Sequence, residues 1–515
     1  MALLSDLLLR SNVTTWAFVV LPVSFVVYWI GWIIYARTLH PLAKIPGDFW
    51  PSVSRTWLMY YMYRGDIEEV QRAYHVKYGP IARIAPDEIS VSDPEAVSKI
   101  YPVQKPLEKT DWYHAWRPPG LNCQHDMFTE TSEKKHSSYR RIVGNVYSLG
   151  SILKSEKELD AALDLFVKRC GEFADKDQAF DFGCWLEMYA FDNIGAIFFG
   201  EQFGFLEKSE DHGGYMKAVH LAMPFLSVVT MTPVWARPLV LATAFVTPKL
   251  LKAVIAVDGI RKTAVKETEV AAARSVESTS QRYDAISQLL NIVHEKGEKV
   301  NFTMAEVTSE MWTGIIAGAD STSIALRSVF YHLLKNPEKM RKIRTEIDNA
   351  FEDGTLSHPV QYNAAVTLPY LSAVIREASR VFPSFQLTMP RFVPAQGLEL
   401  CGFHIPAPYR VGMNPAILCK DKTVFGDDAA EFVPERWLEG PERTRTLDKV
   451  MINFGAGTRT CSGRHLAMAE IFKVVPELLR RFDYEMIHDG PWKTQNAAFV
   501  MQTGMDCKFK RRELF

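Results

Sequence analysis

The chain has 515 residues, 47% of them hydrophobic, and its 59 Lys and Arg residues against 60 Asp and Glu give a formal net charge of −1. This balance excludes the broad positive field that binds nucleic acid. Seven scattered cysteines without a Cys-x-x-Cys pair exclude a disulfide framework and a zinc ribbon, and they indicate a reduced, cytosol-facing protein. Since no Gly/Ser-rich or Pro-rich linker divides the chain, the sequence predicts one large, mainly helical body.

The first predicted element is an apolar run at residues 16–36, which contains no charged residue. Its length is enough to cross a bilayer as a helix, and Trp16 and Trp32 suit the two membrane interfaces. A buried core helix is the alternative, whereas a cleaved signal would be shorter and would end in small residues. We therefore predict that residues 1–45 form a single-pass membrane anchor with a proline-rich hinge, and that residues 46–515 form one catalytic domain.

The charges beside this apolar run favour one orientation in the membrane. Arg37 and Lys44 follow the run, whereas Asp6 and Arg10 precede it and cancel. The positive-inside rule then predicts a lumenal N-terminus and a body that faces the cytosol. Asn12 begins an Asn-Val-Thr sequon, so this orientation makes Asn12 a candidate glycosylation site.

The following segments combine short strands, loops and helices. Turn residues between β-prone runs predict a hairpin at about 81–85 and 88–92. Residues 111–120 are rich in aromatic residues and proline, which predicts a loop. The pattern from about 155 to 300 is mostly helical. Within it, residues 221–247 are strongly apolar but contain three prolines, which argue against a second membrane span and leave a core helix pair or a membrane-contacting segment.

A basic motif opens the helix predicted near residue 136. His136 and Arg140 are four residues apart and therefore share one helix face, so the two side chains could grip one carboxylate together. A solvated basic face is the alternative interpretation.

A long helix is predicted to begin at a capping box formed by Thr303 and Glu306 and to end near Lys335. Gly314 and Gly318 lie in its interior, where each glycine costs about 1 kcal/mol relative to alanine. The two glycines therefore indicate either close packing of another helix or a ligand lying against this one.

Opposite charges at Glu377 and Arg380 share the face of another predicted helix, and apolar neighbours suggest that the pair is buried. Arg436 follows downstream in an aromatic setting. Because a buried carboxylate requires partners, the sequence predicts that Glu377 contacts both arginines.

Residues 454–463 form a glycine-rich loop around Cys461, followed by a predicted helix from Arg464 to about residue 482 with an apolar stripe and an internal proline. Arg459 and the positive end of this helix are expected to favour the thiolate of Cys461. A thiolate in such a loop is a good axial ligand for heme iron.

The pattern F-x-x-G-x-R-x-C-x-G, which spans Phe454, Arg459, Cys461 and Gly463, resembles the heme-binding loop of the cytochrome P450 family. The segments 411–426, 432–438 and 473–485 are similar to fungal members of the pisatin-demethylase type. This resemblance implies an α+β fold, mainly α with small β-sheets, preceded by one N-terminal transmembrane helix. It also implies heme b as cofactor, with Cys461 as the metal ligand.

The resemblance implies roles for the other motifs. The segment Ala317–Thr322 resembles the oxygen-activation segment of the family, in which Asp320, Ser321 and Thr322 would handle protons. Serine stands at 321 in place of the usual threonine. His136, Arg140 and Arg391 would hold the heme propionates, and Glu377, Arg380 and Arg436 would form a structural triad. The substrate pocket would include the loop at 111–120, the strand residues Phe385, Leu387 and Thr388, and the last loop at 498–502.

These roles imply a membrane-anchored heme-thiolate monooxygenase of the endoplasmic reticulum. It would oxidise an apolar small molecule with O2 and with electrons from NADPH-cytochrome P450 reductase, in fungal secondary metabolite biosynthesis. The reductase would dock on basic residues, namely Lys135, Arg141, Lys420, Lys422 and Arg464. Membrane lipid is an expected partner and nucleic acid is not. A heme-thiolate isomerase or dehydratase that needs no reductase, and a non-enzymatic heme sensor, are the alternatives.

Overall fold

The structure is a computed structural model that describes residues 16–117, 126–277 and 283–513. Helices dominate it and enclose a large apolar core. The α-helices are α1 Leu21–Ile34, α2 Phe49–Val53, α3 Thr56–Arg64, α4 Ile67–Tyr78, α5 Val97–Ile100, α6 Glu133–Val143, α7 Leu149–Lys154, α8 Glu156–Asp175, α9 Phe182–Ile194, α10 Phe205–Lys208, α11 Tyr215–Met231, α12 Arg237–Val246, α13 Pro248–Glu277, α14 Ala285–Val300, α15 Met304–Lys335, α16 Pro337–Glu352, α17 Tyr362–Ala365, α18 Pro369–Val381, α19 Pro415–Leu418, α20 Lys422–Phe425, α21 Pro441–Asp448 and α22 Arg464–Arg481.

The strands form four small sheets. They are β1 Ile81–Ala85, β2 Glu88–Val91, β3 Phe180–Asp181, β4 Arg391–Phe392, β5 Leu398–Leu400, β6 Phe403–Ile405, β7 Arg410–Gly412, β8 Phe482–Met486, β9 Lys493–Ala497, β10 Phe499–Thr503 and β11 Asp506–Arg511. The largest sheet has the order β1-β2-β7-β4, with β2 and β7 parallel, and the others are β3-β11-β8, β9-β10 and β5-β6. The predicted hairpin is confirmed, because β1 and β2 pair antiparallel with Ile81 opposite Val91.

The long helix α15 begins and ends where the sequence predicts. Thr303 and Glu306 form the expected capping box, and the helix runs to Lys335. It packs along α9. Its two interior glycines face the end of α9 and the π-helical turn Gly195–Phe199 that follows α9. A Cβ atom on Gly314 would lie 2.4 Å from Phe198 Cε1, and one on Gly318 would lie 2.3 Å from Ile194 Cδ1. Close packing therefore explains both glycines.

One N-terminal helix, Phe18–Leu39, is long and apolar enough to cross a membrane, with a mean hydropathy of 2.0 and no buried residue in its most apolar window. We call it the anchor helix. Its last turns join the body, since Trp32 Nε1 donates to the Val53 carbonyl at 2.9 Å and Arg83 Nη1 donates to the Ala36 carbonyl at 2.9 Å. The sequon at Asn12 lies outside the described residues.

The apolar segment at 221–247 divides into two parts. Helix α11 is mostly buried and continues through Pro224, as a core helix does. The segment that follows exposes large apolar side chains, including Trp235 at 79%, Phe245 at 80% and Val246 at 81%. Helices α12 and α13 meet at a bend of 104° and are apolar enough together to count as a second, broken candidate span.

Candidate active site

The cysteine loop, residues 454–463, is a tight turn that presents Cys461 just before helix α22. The Cys461 N–H donates to the Phe454 carbonyl at 2.7 Å and closes the loop. Gly455 and Gly457 have φ angles of 74° and 63°, in the left-handed region that favours glycine. A Cβ atom on Gly457 would also lie 2.6 Å from the Tyr101 carbonyl oxygen. The glycine spacing is therefore required by the path of the backbone.

The Cys461 side chain is accessible to solvent even though protein atoms surround much of it. Burial raises the pKa of the Cys461 thiol, whereas the N–H groups of Gly463 and Arg464 and the charges of Arg140 and Arg464 lower it. The N–H groups at the start of α22 thus favour the thiolate as expected, whereas the surrounding protein atoms raise the pKa on balance in the absence of iron. Metal coordination deprotonates a thiol outright, so binding of iron would supply the remaining stabilisation of the thiolate.

Arg459 does not supply the charge that the sequence led us to expect beside the sulfur. Its guanidinium pairs with Glu133, at 2.6 Å from Nη2 to Oε1, and donates to the Glu130 carbonyl at 2.7 Å. Arg140 takes that place, because its Nη1 donates to the carbonyls of Thr458 and Thr460 at 3.2 and 2.7 Å. Arg140 therefore clamps the cysteine loop, whereas the sequence predicted that it shares one carboxylate with His136.

A cluster of basic side chains lies beside this loop. We call Lys109, His136, Arg391 and Arg459 the cation cluster. Burial, with the charges of Arg459 and Lys109, lowers the pKa of His136 to about 3. Burial also lowers the pKa of Lys109 well below its usual value, and the charges of Arg391 and Arg459 add to this effect. Each positive charge therefore lowers the pKa of the neighbouring basic groups. This arrangement is expected where an anionic ligand binds.

Two further observations indicate that the cation cluster binds a ligand. His136 Nδ1 is buried and has no hydrogen-bond partner within the described part of the chain. Arg391 and Arg459 line the same small cavity, and Arg391 also donates to the Tyr113 hydroxyl at 2.5 Å. Because buried polar atoms in native proteins are nearly always paired, the free imidazole nitrogen marks a position where a ligand completes the site.

Lys109 is the member of the cation cluster that the sequence does not reveal. Its backbone forms a β-bridge with Arg391, and its ammonium group donates to the Phe128 carbonyl at 2.6 Å. It also lies over the Tyr113 ring, with Nζ at 4.2 Å from the centroid. A single lysine carries no spacing pattern, and only the fold brings residue 109 next to residue 391.

The predicted buried triad comes together in the structure. Arg380 donates from Nε and Nη2 to the two oxygens of Glu377, each at 2.8 Å, and Arg436 Nε donates to Glu377 Oε1 at 3.0 Å. Trp437 Nε1 donates to the other carboxylate oxygen at 2.9 Å. All four side chains are buried, so each charge is both paired and hydrogen-bonded.

Asp320, Ser321 and Thr322 occupy different environments on helix α15. Asp320 is buried, and burial together with the charge of Glu187 raises its pKa to about 7. Its Oδ1 has no hydrogen-bond partner among the residues that the structure describes. Ser321 is partly exposed and donates its hydroxyl to the Ala317 carbonyl at 2.7 Å, whereas Thr322 is buried. The serine hydroxyl is therefore engaged by its own helix, and the Asp320 carboxyl is free to take a partner.

Known proteins identify the family. A family profile described as Cytochrome P450 matches residues 47–506. The chain is 52% identical to cytochrome P450 monooxygenase ACRTS1 of Alternaria alternata over 373 residues, which are 72% of this chain and 99% of the relative. It is 40% identical to cytochrome P450 monooxygenase gsfF of Penicillium aethiopicum over 95% of this chain and 97% of the relative. It is 31% identical to pisatin demethylase of Fusarium vanettenii over 93% of this chain and 91% of the relative.

The chain belongs to the cytochrome P450 family. It is a cytochrome P450 monooxygenase, and its relatives carry that name. This family uses heme iron with a cysteine thiolate as axial ligand. The expected fold, mainly helical with small sheets, is confirmed, and the monooxygenase assignment replaces the isomerase and sensor alternatives.

The residues of the site fit a heme. Cys461 presents an accessible sulfur on a loop whose backbone and cations favour the bound thiolate. The cation cluster offers excess positive charge and the unpartnered His136 Nδ1 to acidic groups such as the two propionates. The observed donor set therefore agrees with the cofactor of the family.

Aromatic side chains connect this site to the loop at 111–120, of which residues 118–120 lie outside the described residues. Trp112 contacts Phe385 edge to face at 6.4 Å, and Phe385 contacts Phe499 at 5.8 Å. Phe385 and Phe499 also form a β-bridge. The structure therefore brings together three segments that the sequence associated with the substrate pocket.

Proposed function

We propose that this monooxygenase hydroxylates, epoxidises or further oxidises an apolar small molecule in fungal secondary metabolite biosynthesis. The observation that carries the proposal is the pairing of an accessible Cys461 with the anion-binding cation cluster, in a chain that also has an exposed apolar helix at its N-terminus. The relatives named above are fungal, and pisatin demethylase is named for its action on pisatin.

Cys461 is the proposed axial ligand, within the loop that Phe454 and Gly463 shape. When bound, the heme supplies the binding and reductive activation of O2. His136, Lys109, Arg391 and Arg459 hold the propionates in this proposal, because their basic side chains meet at one place and an anionic ligand would stabilise the protonated form of each. Arg140 acts differently. It fixes the carbonyls of the cysteine loop and adds positive charge near the sulfur.

Asp320 is the proposed proton donor. A pKa of about 7 allows the carboxyl group to release and regain a proton near neutral pH, as an acid-base group must. Ser321 holds its hydroxyl on the Ala317 carbonyl, and Ser384 Oγ donates to the Ser321 carbonyl at 2.7 Å. In this proposal Ser321 orders the helix turn at Asp320, and Thr322 packs behind it. Glu377, Arg380 and Arg436 serve as scaffold.

We further propose that residues 1–45 anchor the domain formed by residues 46–515 to the endoplasmic reticulum membrane, with that domain facing the cytosol. The hydropathy of the anchor helix supports a span, and the exposed Trp235, Phe245 and Val246 supply a second apolar surface that can dip into lipid. An apolar substrate dissolved in the membrane would then reach the site directly. Glycosylation of Asn12 remains a prediction of this orientation.

NADPH-cytochrome P450 reductase is the proposed electron donor, and its docking surface adjoins the cysteine loop. Lys135 and Arg141 are exposed on α6, the helix that contacts the loop through Arg140, and Arg464 is exposed at the start of α22. Lys420 contributes less to this surface in the proposal, because its side chain is only 23% exposed and lies 3.9 Å from Glu68. The exposed basic residues suit an acidic partner surface.

The proposal is tested with the full-length, heme-loaded protein and a reductase in lipid vesicles, supplied with NADPH, O2 and a panel of apolar candidate metabolites. We expect oxygenated product from at least one class, with dependence on the reductase. Cys461→Ser should remove the thiolate signature of the reduced carbon monoxide complex and lower product formation by at least about 100-fold. Cys184→Ser is the matched control at a half-buried free thiol and should keep both. Product formation by Cys461→Ser at the wild-type rate would contradict the ligand assignment.

A further inference from the structure

Asp320 shares a buried polar cluster with residues from two other helices. Glu187 lies on α9 and His220 on α11, and one ligand atom of each lies within 4.8 Å of the Asp320 carboxylate and of the other. His220 Nε2 is 2.9 Å from Glu187 Oε1. Arg327 is 2.6 Å from the other carboxylate oxygen of Glu187 and also donates to the Gly183 carbonyl. Three helices thus meet in one polar contact.

A small cavity lies inside this cluster. Glu187, His220, Asp320 and Arg327 contribute its polar lining, and Phe499 of the last pocket loop is among its apolar neighbours. It has room for about one water molecule, and such a water needs two to four polar partners. The unpartnered Asp320 Oδ1 is one such partner, and the side chains across the cavity supply the others.

Only one of these four side chains reaches solvent. The side chain of His220 is 35% exposed, whereas those of Glu187 and Arg327 are 1% and 6% exposed and Asp320 is buried. The cluster therefore forms a short path from the surface, through His220, to the carboxyl group on α15.

Glu187, His220 and Asp320 could also hold a metal ion in place of the water molecule. The Arg327 guanidinium, 2.6 Å from Glu187, already supplies the positive charge that a metal would bring. A divalent cation beside this guanidinium would be repelled, so the arrangement favours proton exchange.

We propose that His220 and Glu187 form a proton relay that connects bulk solvent to Asp320. Glu187, fixed by Arg327, orients the imidazole, and a water in the cavity bridges the imidazole and the Asp320 carboxyl. This inference rests on the proposed role of Asp320 as proton donor, and it names the residues that restore the proton of that carboxyl group.

The transfer is balanced at each atom. When Asp320 is a carboxylate, the cavity water gives it a proton and an O–H bond forms on the carboxyl. An N–H bond of the His220 imidazolium breaks to return a proton to that water. The neutral imidazole keeps its other N–H on the solvent side. A turn of the ring about the Cβ–Cγ bond then brings the bare nitrogen to solvent, where it takes a proton from bulk solvent, which completes the cycle without any oxidant or reductant.

The charges that face His220 suit this role. They are Glu187 on α9 and Asp320 and Arg327 on α15. Burial disfavours the imidazolium, but the close contact with the Glu187 carboxylate and its negative charge outweigh burial and raise the pKa of His220. The imidazolium form of His220 is therefore stabilised next to a carboxyl group with a pKa of about 7.

The first test is an infrared titration of the resting, heme-loaded protein, without turnover. A protonated-carboxyl band that disappears in Asp320→Asn identifies Asp320. Because the His220 charge lowers the pKa of Asp320, His220→Gln should move the midpoint of this band to higher pH. His294→Gln, at an exposed histidine on α14, should leave the midpoint unchanged. An unchanged midpoint in His220→Gln overturns the relay.

The second test measures product formed per NADPH consumed against pH. In the wild type this ratio should fall as pH rises through the raised pKa of His220, and in His220→Gln it should be about tenfold lower and nearly independent of pH. Retention of the thiolate signature shows that the variant is folded and loaded. If Asp320→Asn is impaired while His220→Gln matches His294→Gln, the relay fails and the role of Asp320 survives. If Asp320→Asn matches the wild type, the proposed function of Asp320 fails as well.

Discussion

The cysteine side and the Asp320 side of this active site differ in how their charges are balanced. Around Cys461 the loop carbonyls are bound by Arg140, Arg459 is paired with Glu133, and behind them Glu377 satisfies two arginines. Around Asp320 a buried carboxyl oxygen has no partner in the described chain. One side is held in a single arrangement, whereas the other is left able to change its protonation.

This difference matches the two tasks proposed for Cys461 and Asp320. An axial ligand must keep its position, so its surroundings are fixed by hydrogen bonds that leave little freedom. A proton donor must lose and regain a proton, so its surroundings must tolerate both charge states. The pKa of Asp320, raised to about 7 mainly by burial, meets this second requirement. The cation cluster is intermediate in this respect. Its side chains are held by the fold, but their charges would be balanced only by the proposed anionic ligand.

The largest effect is expected where the charges are most completely paired. Glu377→Gln would leave Arg380 and Arg436 buried without a counter-charge, which should lower the free energy of unfolding by about 3–5 kcal/mol. Denaturant unfolding of the purified protein, with heme content measured in parallel, checks this value. Glu399→Gln is the control, because Glu399 forms an exposed ion pair with His404 and should cost less than about 1 kcal/mol. Equal losses in the two variants would contradict the scaffold role.

On the Asp320 side, the same kind of change should affect rate more than stability. Asp320→Asn keeps the shape of a side chain that lacks a hydrogen bond at Oδ1, so the unfolding midpoint should not fall. Product formation should fall by about 100-fold, because a positioned acid contributes at least that much. Asp427→Asn, at a fully exposed position, should change neither quantity. If Asp320→Asn is less stable than the wild type but fully active, Asp320 has a structural role, and the proposed difference between the two sides is wrong.

The sequence predicts the cysteine side better than the Asp320 side. The cysteine loop, the Glu377–Arg380 pair and the capping box of α15 are local patterns, because the residues of each lie within one turn or loop. The structure therefore contains the expected loop, helix and buried carboxylate. For the pKa of Cys461, the sequence indicates the contribution of the helix end but not that of the surrounding protein atoms, because their number depends on the whole fold.

The residues that the sequence does not reveal are joined only by the fold. Lys109 meets Arg391 across a β-bridge between distant segments, and Glu187 meets His220 where two helices approach α15. Each is a single polar residue without a spacing pattern of its own. Gly314 and Gly318 are intermediate, since the sequence signals a contact but leaves open whether a helix or a ligand makes it.

A moderate effect is expected at the clamp of the cysteine loop. Arg140→Met removes two hydrogen bonds to the loop and a charge that lowers the pKa of Cys461, so heme affinity should fall by about tenfold. Heme transfer to a competing apoprotein measures this affinity. Arg140→Lys should recover part of the heme affinity, because an ammonium group can donate to a carbonyl but lacks the planar fork of a guanidinium. Arg141→Met, at the exposed neighbour, should keep full heme affinity, and a loss there equal to that of Arg140→Met would contradict the clamp.

The smallest expected effects are opposite pH dependences of stability on the two sides. The folded pKa of His136, about 3, lies below its usual 6.5, so the unfolded chain binds the proton first and stability falls as pH drops below about 6.5. The folded pKa of Asp320, about 7, lies above its usual 3.8, so the folded chain keeps the proton longer and stability falls as pH rises from about 4 to 7. His136→Gln should therefore reduce acid sensitivity, and Asp320→Asn should raise stability at neutral pH relative to acid pH, each by about 1 kcal/mol.

Unfolding midpoints of both variants and the wild type, measured between about pH 5 and pH 8, test these signs. The effect at His136 should be larger in heme-free protein, because propionates beside the imidazole would raise its pKa towards the usual value. The effect at Asp320 should be the same with and without heme if the cavity residues alone set its pKa. If heme changes the slope at Asp320 and not at His136, the anionic groups of the cofactor do not lie in the cation cluster, which would contradict the proposed role of these residues in binding the propionates.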